Sequence, residues 1–538
     1  MHAQHAGPQR RWQRLRAGLE PTRITALLAT LAALWLMAGC ASLPAAPART
    51  PSWARAALPP QALLGETAAA PAAGLSGFHL VPDGAQALRA RLDLVRRAQS
   101  SLDLQCYHLQ DDDSGRSLLR ALRDAAARGV RVRLLLDDLY TAGQDRLLLG
   151  LAAHPGVELR LFNPFPAGRD SLARRFAASL ADLGRVHRRM HNKLMVVDGV
   201  VAVVGGRNIA DEYFMRRPGD NFIDIDTLVI GAVLPRLAAQ FDRYWNSRHA
   251  WPIETIATAA AAGVGAAALR QQFDQHMAAS AMPNAEGVAA GLPPGEPPAW
   301  VWAPAEAYAD DPDKILGDES PQDAAAPLDT QGIRHRLVER IRSATHEVQV
   351  ASPYVVPTRR SIDTVELLRR RGVQMTVLTN SLAATDEPMV HASYGSYRQA
   401  LLRQGVKVYE LDPLRVPETL RMARIGPAVG RLHAKLVVVD GQTLFIGSFN
   451  FDPRSATHNT ELGLLVHSPE LAAQALALLG QLQQQGAYRL QLRADGRGID
   501  WLARAADGRE QRHEEPDPGW WRRLLLRLIG PFVPVDLL

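Results

Sequence analysis

The chain has 538 residues, 47% hydrophobic and 22% charged, which is too long for one ordinary domain and too apolar for a disordered chain. Of its formal charge of +6, a net +4 lies in the first 39 residues, where Arg10, Arg11, Arg14, Arg16 and Arg23 face only Glu20. The near-neutral remainder excludes a nucleic-acid binder held by bulk charge, and two cysteines, Cys40 and Cys106, exclude a disulfide framework or a thiolate metal site.

The N-terminus reads as an address. Arginines precede an apolar run of 15 residues at 24–38, too short for a membrane span, and Ala38-Gly39-Cys40 follows. Residues 1–39 are therefore a signal peptide. The Met37-Ala38-Gly39-Cys40 order resembles a bacterial lipobox, which makes Cys40 a lipidation site. The alternative is an uncleaved signal anchor. Residues 40–75, rich in Ala and Pro, read as a lipid-anchored tether, and Cys106, in SLDLQCYHL, as a small buried hydrophobe.

The body contains one unit written twice. A helix at about 84–98 leads into SLDLQCYHL, then come a helix ending at Ala127-Arg128-Gly129, the strand VRVRLLLDD and a β-rich step at 156–165. The second half answers with a helix at about 331–344, HEVQVASPYVV, a helix ending at Arg370-Arg371-Gly372, VQMTVLTN and GVKVYELDP. Each unit closes on an apolar hairpin with an Asp-Gly turn, KLMVVDGVVAVVGG and KLVVVDGQTLFIGS. The pattern predicts an α/β fold of two tandem lobes, each a mixed sheet flanked by helices. They are related by a pseudo-twofold with the site at their interface. The boundaries read as 76–252 for the first lobe, 253–298 for an Ala/Gly/Pro-rich linker with one helix near 266–280, 299–490 for the second lobe, and 491–538 for a C-terminal extension. That extension carries WWRRLLLRLI at 520–529, which suits either a lipid–water interface or docking on the second lobe.

Both units carry the same chemistry at the same place. His191, Lys193 and Asp198, with Asn208 following, repeat as His433, Lys435 and Asp440, with Ser448 and Asn450. Only four lysines occur among 61 basic residues, and two stand here. On a strand, His and Lys two apart project from one face. Two lobes facing each other would thus gather two imidazoles, two ammoniums and two amides around one anionic centre, a phosphodiester site. One His attacks phosphorus while the other protonates the leaving alkoxide, and no metal or other cofactor is required. Asp198 and Asp440, at the hairpin turns, read as fixing the turn or the local fold. A nucleophilic histidine needs a carboxylate on its other nitrogen. Asp224 (or Asp226 on the same face) and Glu461 are the candidates, each following the His of its own lobe. Lys314, in DDPDK, reads as a solvated turn or an ion pair bridging the lobes. TNSLAATD and HASYGSYR read as a loop and helix start or as a wall of the site, with His391 as packing.

These elements resemble the phospholipase D superfamily over about residues 76–490. RLFNPF, SPYVVPT, TNSLAATD and VHASYGSYR are most similar to the bacterial cardiolipin synthase C group. The resemblance implies a metal-independent phosphatidyl transfer between phospholipids through a phosphohistidine. The substrates would be phosphatidylglycerol and possibly phosphatidylethanolamine, the place a membrane-anchored lipoprotein facing the periplasm, and no nucleic acid is expected. It also implies His191 as nucleophile and His433 as general acid and then base. The chain departs at Gly206, where many members have Ser, and this removes one possible phosphate contact from the first lobe. A lipid hydrolase, an exported nuclease and a non-catalytic envelope lipoprotein are the alternatives.

Overall fold

The computed structural model describes residues 42–45, 50–60, 63, 71–261, 263–279, 299–317, 332–415, 429–504, 508–516 and 519. Cys40, the signal segment and the paired tryptophans of the tail lie outside them.

Two large mixed sheets form the body. The first has nine strands in the order Val301–Ala303, Ser76–Val81, Asp226–Gly231, Val201–Gly205, Leu194–Val197, Ser101–Cys106, Arg131–Asp137, Val157–Phe162, Ala250–Pro252. The second has ten strands and repeats the central arrangement: Leu462–His467, Thr443–Gly447, Leu436–Val439, Glu347–Ala351, Gln374–Asn380, Lys407–Leu411. In each sheet three neighbouring strands run parallel, joined by helices, and the hairpin adds antiparallel to the first of them. The helices begin where the sequence offers caps, as at Asp83 before Gly84–Arg97 and Ser468 before Pro469–Gln485.

The hairpins are apolar on both faces because both are covered. Val196, Ala202 and Val204 of the first, and Leu436, Val438, Leu444 and Ile446 of the second, meet in one core between the lobes, with helices Leu234–Trp245 and Pro469–Gln485. Their alternate neighbours, Val197, Val201 and Val203, or Val437, Val439 and Phe445, point into separate outer cores. The lobes thus share a hydrophobic interior.

Each hairpin turn has both central residues at positive φ: Asp198 and Gly199 (53° and 69°), and Asp440 and Gly441 (53° and 61°). That conformation matches the strand twist, and Asp-Gly adopts it readily. The Asp198 carboxylate accepts from the main-chain nitrogens of Gln99, Ser100 and Ser101 at 2.7–2.9 Å. Asp440 receives Thr345, His346 and Glu347 in the same way. Each therefore pins the hairpin to the start of its lobe's first parallel strand.

The chain crosses between sheets at Pro304, since Val301–Ala303 pairs with the first sheet and Ala305–Ala309 with the second. The segment at 253–298 includes helix Ala266–Ala279, packed on Asp145–Ala152. Strands Ile499–Arg504 and Glu510–His513 extend the second sheet beyond residue 490. Part of the expected tether is a strap rather than a free linker. Ser52 and Ala54 bond to Asn246 and Asp242, Arg133 donates to the Ser52 carbonyl, and Leu58 N donates to the Asp198 carbonyl. An extended Pro/Ala-rich chain leaves its backbone groups open, and these side chains take them up.

Candidate active site

His191 and Lys193 do not lie on a strand: the strand begins at Leu194, and His433 to Lys435 likewise precede Leu436–Val439. Each His-x-Lys entry is fixed by main-chain bonds to the opposite lobe. His191 N donates to the Thr460 carbonyl (2.9 Å), and His433 N donates to the Ile223 carbonyl (2.8 Å). Beside the second entry, Asp220–Ile223 pairs in parallel with Val429–Leu432 and bridges the lobes. Lys193 and Lys435 donate Nζ to the carbonyl oxygens of His191 and His433, which keeps ammonium and imidazole together without a strand.

The carboxylates are crossed. His191 Nδ1 lies 3.0 and 3.1 Å from the two carboxylate oxygens of Glu461, and His433 Nδ1 lies 2.6 Å from Asp224 Oδ2. The sequence reading had each carboxylate serving its own lobe's histidine, whereas each serves the other lobe's. Both carboxylates sit at the lobe interface just before an inner strand, so their shortest reach is across it. Neither lobe alone holds a supported histidine. Asp226, the alternative on the same face, is instead locked to Arg91 (2.9 Å) and Arg207 (3.1 Å).

The position held by Gly206 in one lobe and Ser448 in the other acts on these carboxylates. Ser448 Oγ donates to Glu461 Oε2, and Ser455 Oγ donates to Oε1 (2.7 Å). A Cβ on Gly206 would lie 2.4–2.8 Å from the Asp224 carboxylate, so glycine gives Asp224 its space. The sequence reading gave a serine hydroxyl here as a possible phosphate contact; in this fold the Ser448 hydroxyl bonds the Glu461 carboxylate.

Burial and charge then separate the two pairs. Burial pushes the Asp224 carboxyl up, but the His433 hydrogen bond and charge, with Lys435 and Arg207, outweigh it and hold it at about 2. Burial raises Glu461 to about 7, against the opposing pull of Lys193, Ser448 and Ser455. His191 falls well below its ordinary value through burial and the charges of Lys193 and Lys435. His433 is brought to about 4 by burial and Lys435, with Asp224 pulling the other way. Burial and mutual repulsion lower Lys193 to about 7, and burial lowers Lys435 to about 8. Burial, joined at Lys193 by repulsion from Lys435, outweighs the carboxylates Asp224 and Glu461, so further negative charge beside the two ammoniums would stabilise them.

Asn208 and Asn450 are buried in the same region. Asn208 Nδ2 donates to the Tyr213 hydroxyl (2.9 Å), and the Oδ1 atoms of both asparagines have no partner among the described residues. Asp198 and Asp440 are at the far ends of the hairpins and do not join the imidazoles. Lys314 braces the site instead of lying in a solvated turn. It holds Asp310 (2.7 Å), which accepts from Glu461 N (3.0 Å), and it donates to the Ser455 carbonyl (2.9 Å). His391 sits in helix Pro388–Arg403 against Arg398.

Several contributors were missed. Tyr107 packs edge-on to His191 (centroids 4.9 Å apart) and Tyr213 edge-on to His433 (5.0 Å), with Phe222 beside the latter. Asp137 accepts from Met190 N (2.8 Å), while Asn380 accepts from Leu432 N (2.8 Å) and donates to its carbonyl (2.9 Å). These two close the corresponding seven-residue strands Arg131–Asp137 and Gln374–Asn380, so aligning the repeats would have found them. The tyrosines have no such signal, because only packing brings them to the rings.

The family described as cardiolipin synthase, PLD-like domain matches residues 92–245 and 337–482, one segment in each lobe. Cardiolipin synthase C of Escherichia coli (strain K12) is 38% identical over 477 residues, covering 86% of this chain and 96% of the relative. An uncharacterized protein of Helicobacter pylori (strain 26695) is 31% identical over 413 residues, covering 76% and 79%. Among solved structures, phosphatidylserine synthase of Haemophilus influenzae Rd KW20 shares the fold, with a TM-score of 0.52 at 14% identity, covering 77% of this chain and 87% of that one. With both repeats matched and the relatives aligned over most of its length, the chain belongs to the phospholipase D superfamily, in its cardiolipin synthase-like family.

Proposed function

We propose that the chain is a phospholipid phosphatidyltransferase that forms cardiolipin through a phosphatidyl-histidine on His191. The observation that carries this reading is the crossed arrangement of two buried His–carboxylate pairs with two buried ammoniums beside them. The cardiolipin synthase C likeness supplies the substrate class.

His191 is held neutral by burial and by the charges of Lys193 and Lys435. With Nδ1–H donated to Glu461, its Nε2 lone pair is free to attack phosphorus. His433, beside an ionised Asp224, is the proton carrier, its second proton taken up with the anionic phosphodiester, whose charge offsets that of Lys435. In the first step the Nε2–P bond forms as the bond from phosphorus to the headgroup oxygen breaks, and His433 gives its Nε2 proton to that alkoxide. The headgroup alcohol departs and a hydroxyl of phosphatidylglycerol enters. His433 takes the hydroxyl proton, the oxygen attacks phosphorus, and the N–P bond breaks to restore His191. Lys193 and Lys435 swing from main-chain oxygens to the phosphoryl oxygens, with the Asn208 and Asn450 amides beside them. The two histidines are only 7% and 4% exposed, which favours an alcohol delivered by lipid over bulk water.

Phosphatidylglycerol is the acceptor, and phosphatidylglycerol or phosphatidylethanolamine the donor. Cys40, acylated after signal removal, holds the protein to the bacterial envelope facing the periplasm. Cys40→Ala should release it toward the soluble fraction or stall its processing.

The test is to incubate purified protein with labelled phosphatidylglycerol, with and without phosphatidylethanolamine, and separately with DNA, and to identify products by mass spectrometry. Cardiolipin is the expected product. Phosphatidic acid alone would make the protein a hydrolase, and cut DNA without lipid turnover would make it a nuclease.

A further inference from the structure

The segment between strand Val157–Phe162 and His191 faces two ways. Inward, Arg175 is fully buried, donating to the Asp138 carbonyl and to Thr141 Oγ1 (3.1 Å). Arg169 bridges Asp138 and Asp145 (both 2.7 Å), and Phe176 packs edge-on to Phe165. Outward, over helix Leu172–Ala178 and the short turns that follow to Val186, the surface carries exposed apolar residues, Leu172 (40% exposed), Ala173, Ala177, Leu180 (48%), Ala181 and Leu183 (42%), interrupted by the exposed Arg174 and Asp182. These leucines account for three of the eight large hydrophobic residues that stand exposed among the described residues. A buried ionic network thus clamps down a segment whose exposed leucines stand open to solvent among the described residues.

A chain of contacts leads from this segment toward the reaction centre. The turn Leu139–Thr141, which grips Arg175, carries the exposed Tyr140. Its ring lies 5.2 Å from Tyr107, and Tyr107 lies 4.9 Å from His191. Four residues beyond Val186 the chain reaches Met190, and then His191. At the corresponding place in the second repeat, after strand Lys407–Leu411, Leu414 is 67% exposed. At the edge of the first segment Arg174 pairs with Asp170 and Arg185 with Asp182, and the half-buried Arg188, donating to the Ile315 carbonyl (3.3 Å), is left as one net positive charge toward an anionic surface.

We propose that the outward face of residues 172–183 is a bilayer-docking platform. Its leucines enter the headgroup–acyl boundary of a phospholipid membrane, with arginines at the rim, and bring a headgroup phosphate to His191. The platform rests on the phosphatidyl-transfer reading for its substrate but makes a separate claim about how that substrate is met. The helix is too short and its face too small to bury a protein partner stably. A lipid surface needs only shallow apolar insertion.

The test uses the full chain with Leu172→Ser, Leu180→Ser and Leu183→Ser combined. Turnover is measured on vesicles of phosphatidylglycerol and phosphatidylethanolamine, and on dihexanoyl phosphatidylglycerol below its micelle concentration. The expected result is a loss of about tenfold or more on vesicles with turnover of the monomeric lipid within about twofold. Equal loss on both substrates, or none on vesicles, would overturn the platform. Independently, a polarity-sensitive fluorophore on Leu180→Cys should shift to the blue when those vesicles are added. No shift, or a shift that follows protein concentration without vesicles, overturns it, the latter in favour of a second copy of the chain. If the unmodified protein turns over neither lipid, the reaction reading fails, and the fluorophore alone decides the docking.

Discussion

The two half-sites carry the same His-x-Lys and differ in what stands behind the imidazole. Behind His191 stand Glu461, Ser448 and Ser455; behind His433 stand Asp224, Gly206 and the neighbouring Arg207. The longer carboxylate is paired with the hydroxyl, and the shorter one occupies the space that a side chain on Gly206 would fill. The electrostatic outcome is opposite, with Glu461 lifted to about 7 and Asp224 held at about 2. Duplication supplied two equal scaffolds. The carboxylate and one small residue beside it give the two imidazoles different surroundings, and the proposed division between nucleophile and proton carrier rests on that difference.

The largest expected effect breaks the comparison outright. His191→Ala or His433→Ala should each lower turnover by about 10³-fold or more, and the double variant by little further, since the two act as a unit. The asymmetry appears on trapping. His433→Asn should accumulate a phosphatidyl adduct on His191, found by peptide mapping of the quenched protein. An adduct on His433 of the unsubstituted protein would reverse the roles.

Next come the carboxylates, whose exchange sharpens the contrast. Asp224→Asn should cost about 10²-fold or more in turnover, because His433 loses its anion. Gly206→Ser should cost roughly tenfold by crowding Asp224, whereas Ser448→Ala should cost about tenfold by releasing Glu461. Neither substitution should alter the substrate Michaelis constant as much as kcat. A change confined to KM would return the Ser448 hydroxyl to phosphate binding.

The pH dependence follows from the same pairs. Below about 7 Glu461 is protonated and no longer an anion for the His191 Nδ1–H, so turnover should fall as pH drops through 7, and Glu461→Gln should abolish that limb at a lower rate. For stability the signs differ. Glu461 is raised above its ordinary 4.5, so its contribution is full below 4.5 and lost as pH rises through 7. Asp224 is depressed below its ordinary 3.8, so its contribution is present above 3.8 and lost as pH falls through 2. Chemical denaturation at pH 5 and pH 8 should therefore find Glu461→Gln gaining on the parent protein at the higher pH.

The smallest effect on chemistry belongs to the hairpin aspartates. Asp198→Ala removes a buried acceptor of three main-chain donors and should cost about 3 kcal/mol of stability. The less buried Asp440→Ala should cost about 1–2 kcal/mol. Turnover per folded molecule should stay within about threefold. A far larger loss would place an aspartate in the reaction.

Much of this was legible because it repeats. Continuous β-branched apolar runs, Asp-Gly turns and matched helix ends placed the parallel trio and hairpin of each lobe, since local propensity and burial agree there. The histidines and lysines stood out by rarity and register. What stayed hidden was pairing across the interface. Asp224 follows His191 in the chain and Glu461 follows His433, so sequence order suggested partners within a lobe, and packing exchanged them. Lys314 was hidden for a different reason: it does not bridge the lobes, but besides Asp310 four residues before it, it reaches the Ser455 carbonyl, 141 residues away within its own lobe.

The sequence by itself determined the two α/β units, the doubled His-x-Lys and the turns that end each hairpin. These follow from local periodicity and from residue types whose conformational preferences do not depend on distant contacts. Only the tertiary structure decided which carboxylate meets which imidazole, that the residue-206 and residue-448 positions tune those carboxylates, and that the N-terminal strap lies against the first lobe. Each of these depends on groups brought together across a shared apolar interior. There, distances of 2.6–3.1 Å between residues more than 200 apart set the protonation of both histidines, and no local pattern encodes them.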